Sequence, residues 1–132
     1  MRTYQRGFTA LVIAAFLLPY LAPPVAAQNG GSCGLGTLIP MGYEEIAVST
    51  VAIGFTAATI QTSTAAASYA YVYVGSNAVR WRDDGSNPTA AVGQPAAAGE
   101  RLQVCGKKAV GAIKFIRQSA DATLFVSYYR GE

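Results

Sequence analysis

Beyond residue 43 the chain alternates apolar and polar residues in short runs with a period of two, broken every ten residues or so by glycine, proline, asparagine or aspartate. That is the pattern of short half-buried strands, and no run of comparable length repeats with the helical period of 3.6. Ile46-Ala47-Val48-Ser49 starts a strand over residues 44–50. Val51, Ile53 and Phe55 continue it on the other parity, so a bulge or bend is expected near Thr50. Residues 57–67 are rich in Thr, Ser and Ala; Ile60 is expected to start a short strand and Thr62-Ser63-Thr64 to form a loop.

The best-patterned stretch follows. Tyr69-Ala70-Tyr71-Val72-Tyr73-Val74 is rich in residues that suit a pleated surface. Gly75-Ser76-Asn77 then supplies turn chemistry. In residues 78–82, Val79 and Trp81 fall on one face and Arg80 and Arg82 on the other. A β-hairpin is the expected unit, ended by Asp83-Asp84-Gly85, with Asp83 accepting backbone N–H groups in a tight turn. Residues 86–99, dense in Pro and Gly, are expected to make an irregular surface loop. Residues 100–105 alternate cleanly, Gly106-Lys107-Lys108 reads as a turn, and residues 110–117 and 122–129 read as the last two strands. The sum is about seven short strands: an all-β, small antiparallel β-sandwich or barrel-like (jelly-roll-like) domain over residues 43–130.

Ahead of it lies an apolar N-terminal segment. Arg2 and Arg6 form a positive leader, residues 8–18 an apolar stretch, and Val25-Ala26-Ala27 a small-residue cleavage site, so residues 1–27 read as signal-peptide-like or as a retained apolar arm. Pro19 and Pro23-Pro24 leave the apolar stretch short for a membrane span. Met41 offers another start for the patterned domain. Residues 28–42, with Asn29-Gly30-Gly31-Ser32-Cys33-Gly34, read as a Gly-rich linker.

Composition narrows the chemistry. The chain has 132 residues, enough for one domain, and 52% are apolar, but Ala and Gly are so frequent that the core is expected to be thin. Its formal charge is +3, and Arg2 and Arg6 account for two of those charges, leaving +1. The sole adjacent basic pair is Lys107-Lys108, so no nucleic-acid partner is expected. Without histidine there is neither the commonest general base nor the commonest metal ligand, and two cysteines 72 positions apart make neither a thiolate metal site nor a Cys-x-x-Cys redox centre. No enzyme activity, no metal and no cofactor are expected. In an oxidising compartment Cys33 and Cys105 form one candidate bridge, which closes a loop worth roughly 4 kcal/mol; in the cytosol both are expected to be reduced. Asp83, Asp84 and Asn87 lack the alternating spacing and closing carboxylate of a calcium loop.

Both faces of residues 69–74 and of the final strand are apolar or aromatic, which a strand with one wet side does not need. One face is therefore expected to meet another subunit or partner. Tyr71, Tyr73, Arg80, Trp81, Arg82, Asp83, Asp84 and Asn87 are the candidate interaction surface. The same exposed aromatics could stack on sugars.

The block Ala78-Val79-Arg80-Trp81-Arg82-Asp83-Asp84-Gly85, with Asn87-Pro88-Thr89, Ala98-Gly99-Glu100, Ile113-Lys114-Phe115-Ile116 and Val126-Ser127-Tyr128-Tyr129, resembles small structural proteins of tailed bacteriophages, over residues 41–130. The resemblance implies a non-enzymatic virion protein, a head decoration or cement-like β-sandwich, with the major capsid or other virion proteins and further copies of itself as partners. The leader-like segment departs from that pattern. It favours the alternative, an exported monomeric β-sandwich, secreted or periplasmic after cleavage near Ala27, that binds a glycan or other surface ligand.

Overall fold

The larger of two antiparallel sheets is hung on the last strand. A computed structural model describes residues 33–34 and 36–131; the expected leader over residues 1–27 lies outside them. In chain order the elements are β1 (Leu38–Val48), α1 (Ala57–Ile60), β2 (Tyr69–Val74), β3 (Val79–Arg82), β4 (Gln94–Ala96), β5 (Arg101–Cys105), α2 (Lys107–Ala112), β6 (Lys114–Arg117) and β7 (Ala122–Gly131). Four strands form one sheet in the order β1-β7-β2-β5, and three form the other in the order β4-β3-β6. The fold is thus all-β, as the two-residue period requires.

The core lies between the sheets. Alternate residues Leu124, Val126 and Tyr128 of β7, Ala70, Val72 and Val74 of β2, and Ile46 and Val48 of β1 meet Val79, Ala96 and Phe115 of the smaller sheet. Phe55 fills the space beside Phe115 and Tyr128, with ring centroids 5.6 and 5.1 Å away. Val104, Val110 and Ile113 complete the buried cluster, and the small side chains Ala67, Ala70, Ala96 and Ala122 take up the rest of it.

Several expectations are corrected. The linker does not extend to residue 42: β1 begins at Leu38, because its first residues pair with the end of β7 (Leu38 with Gly131, Ile39 with Arg130) before Met41 bulges out of register. Residues 69–82 are not a hairpin. Both edges of β2 are taken, by β5 and β7, so β3 leaves for the other sheet. The corner is held by Gly75 N–H donating to the Thr123 carbonyl at 2.7 Å and by Asn77 Nδ2 donating to the Asp121 carbonyl at 2.7 Å. A Cβ on Gly75 would stand 2.9 Å from that same carbonyl oxygen and from the Phe125 ring, which is why glycine turns the chain there.

The expected strand through Val51, Ile53 and Phe55 reduces to one bridge between Ile53 and Phe115. Nothing among the described residues pairs with the rest of it, and Val51 is 71% exposed. Ala57–Ile60 is a single helical turn, not a strand start. Lys107–Ala112 is a short helix where a turn and the start of a strand were expected; it buries Val110 alone, and β6 begins only at Lys114. The Pro/Gly-rich loop contains β4, and Pro95 is tolerated because β4 is an edge strand.

Candidate interaction surfaces

In β2 the residues that alternate with the core set are Tyr69, Tyr71 and Tyr73, and in β7 they are Thr123, Phe125, Ser127 and Tyr129. The register lines them up across the outer face of the four-stranded sheet. One row runs Glu45, Phe125, Tyr73, Arg101 from β1 to β5; the next runs Tyr43, Ser127, Tyr71, Gln103; the third ends Tyr129, Tyr69, Cys105. The rings touch: Tyr73 and Phe125 have centroids 6.1 Å apart, and Tyr69 and Tyr129 5.6 Å. Such tilted pairs add attraction beyond area burial. Burial, with the neighbouring phenols Tyr129 and Tyr71 adding to it, pushes the Tyr69 hydroxyl above its ordinary pKa.

This face is not sealed. Tyr43 is 60% exposed and Tyr73 36%, while Tyr71, Phe125 and Tyr129 are half-buried. Its two edges carry opposite charge in the same row. Glu45 stands on β1 and Arg101 on β5, both exposed, with the Arg101 guanidinium 5.9 Å from the centre of the Tyr73 ring. Neither belongs to an ion pair among the described residues.

Cys33 and Cys105 are joined as a disulfide with Cα atoms 5.5 Å apart. Cys105 is on β5, one outside strand of this sheet, and Leu38 opens β1, the other. The bridge thus links the chain just ahead of one outside strand to the other outside strand.

No protein-family model, curated protein or solved structure matches this chain. Its chemistry must be read from its own residues.

The eight residues singled out from the sequence do not share one surface. Tyr71 and Tyr73 lie on the outer face just described. Arg80, Trp81, Arg82, Asp83, Asp84 and Asn87 belong to the smaller sheet and the loop after it, on the other side of the core. Within this second group the roles differ again. Trp81 packs against the core, and its indole N–H is buried without a hydrogen-bond partner among the described residues. Arg80 is a loop clamp: Nε donates to the Ala90 carbonyl and Nη1 to the Gly93 carbonyl, both at 2.9 Å. Arg82 grips Asp84 through both carboxylate oxygens, at 3.1 and 2.5 Å.

The turn is capped by Asp84, not by Asp83: Asp84 Oδ1 accepts the Ser86 N–H at 3.0 Å. The Arg82 guanidinium and then that N–H hold the Asp84 carboxyl at about 2, well below the usual carboxylate range. Asp83 and Asn87 are exposed. Beside Asp83 and Asp84, with Gly93 and Pro95, is an open hollow of about 450 Å³. Arg82, the one cation that lines it among the described residues, is already committed to Asp84.

Sequence reasoning missed Glu44. It stands on the inward side of β1 at the mouth of the sandwich, where Oε1 accepts from the Tyr128 hydroxyl and, at 3.0 Å, from the Thr56 N–H. No group of three or more His, Cys, Asp or Glu side chains could hold a metal among the described residues. No helix among them is long and apolar enough to cross a membrane.

Proposed function

We propose that this domain is a non-enzymatic structural module that works in many copies, as a decorating subunit on a bacteriophage capsid or a comparable protein lattice. The observation that supports it is the outer face of the four-stranded sheet, where aromatic side chains of β1, β2 and β7 lie side by side and partly open to solvent. Aromatic surface of this kind is what protein-protein contacts draw on, and repetition on a lattice multiplies a modest contact by avidity. Mass spectrometry of virions purified from cells that express the chain tests it. The chain should be present at a fixed ratio to the major capsid protein, and its absence would defeat the reading.

A second reading is favoured by the Cys33–Cys105 disulfide together with the leader-like residues 1–27: an exported β-sandwich whose tyrosines stack on a glycan. A secreted product with its N-terminus at Gln28 and retention on a glycan array would support it. A product that stays in the cell would exclude it.

A further inference from the structure

We propose that the aromatic face of the four-stranded sheet docks onto the same face of a second copy of this chain, about a two-fold axis lying between the two sheets and parallel to their strands. The charge pattern selects both the occupant and the axis. A two-fold along the strands reverses their order across the interface, so β1 of one copy lies over β5 of the other and β7 lies over β2. Glu45 then faces Arg101 of the second copy, at both ends of the same row, while Phe125 faces Tyr73 between them. Tyr43 likewise falls over Gln103 and Ser127 over Tyr71.

The alternative two-fold, across the strands, sets Glu45 on Glu45 and Arg101 on Arg101. Like charges placed together cost more than an exposed pair returns, so that arrangement is rejected. A face that presents acid at one edge, base at the other and aromatics between them is complementary to itself, as a closed two-fold contact requires. Two sheets packed face to face at the usual spacing of about 10 Å leave room for tyrosine and phenylalanine rings to interleave. The inference deepens the multicopy reading above and rests on it for the use of this face.

Sedimentation of the full, disulfide-bonded chain reads self-association alone. The wild-type protein should form a reversible dimer in the micromolar range. Glu45→Arg and Arg101→Glu should each weaken it about tenfold, since every dimer contains the pair twice and each change turns both pairs repulsive. The double variant Glu45→Arg/Arg101→Glu should recover wild-type association, because it restores the pairing with its sign reversed. A chain that stays monomeric up to roughly 0.5 mM would overturn the proposal. So would single reversals that leave the dimer intact, or a double variant no better than the singles. A monomer still found in purified virions would remove the dimer and leave the structural role standing.

Discussion

The Tyr128 hydroxyl donates to Glu44 Oε1, joining residues 84 positions apart across the β1–β7 pairing. The same oxygen receives the Thr56 N–H, so one carboxylate fixes β1, β7 and the approach to α1. Removing the hydroxyl alone, in Tyr128→Phe, keeps the ring packed edge-on against Phe55 and leaves Glu44 short of one donor. A loss of about 1.5–3 kcal/mol is expected, the range for a hydrogen bond to a charged group, read by urea unfolding.

The same site sets an alkaline limit. Burial first, and Glu44 second, push the Tyr128 hydroxyl well above its ordinary 10.0. In the unfolded chain it ionises near that value while the folded chain keeps its proton, so its contribution is complete below pH 10 and is lost as pH rises beyond it. Unfolding free energy should be flat from pH 7 to 9 and fall above 10. In Tyr128→Phe the fall should be shallower, with a residual slope from Tyr69, whose hydroxyl is shifted in the same direction.

Reducing the Cys33–Cys105 bridge, or replacing both residues by alanine, frees a loop of 72 positions in the unfolded ensemble. A loss on the order of 4 kcal/mol is expected, a large share of the stability of a domain this small. The denaturation midpoint with and without reductant checks it.

Arg80→Lys should loosen the loop without unfolding the protein. Lysine keeps the charge but cannot reach the Ala90 and Gly93 carbonyls as a two-pronged donor. Amide exchange should quicken over residues 83–93 and stay unchanged in β2 and β7, with a global cost of about 1–2 kcal/mol.

Acid should spare the Arg82–Asp84 turn until late. With the Asp84 carboxyl held at about 2, below its ordinary 3.8, what the pair contributes is present above 3.8 and disappears as pH falls through about 2. In an NMR titration the Ser86 amide should move with a midpoint near 2, and Arg82→Ala should shift that midpoint toward 3.8.

Sequence alternation exposes what lies along a strand and hides what lies across strands. In residues 69–74 every second side chain is a tyrosine and the others are Ala or Val, so one aromatic face is visible without coordinates. Residues 122–129 alternate as well, but with Thr123 and Ser127 between Phe125 and Tyr129 on one face and Tyr128 on the other, so alternation alone leaves open which face is outward. The corner at Gly75 reads as a hairpin turn because glycine and asparagine serve both; only the occupied edges of β2 decide between them. α2 escapes because six residues with one buried valine offer too short a period to detect. Residues 78–87 look like one functional cluster because they are contiguous, yet alternation sends Trp81 inward and Arg80 and Arg82 outward, each to a separate structural task. Glu44 has no signal at all in its own neighbourhood. Its partner lies at the far end of the chain, and the contact exists only once β1 and β7 are in register.

Because Leu38 pairs with Gly131, anything joined upstream of the first strand or downstream of the last departs from the same pole of the domain. A label or carrier joined directly at Leu38 or Gly131 would stand at that pole, leaving the opposite one, with the corner at Gly75, clear. Held by such a tether, every copy would present the same end outward, an orientation that a surface coat needs and that a freely tumbling unit would have to acquire by other means.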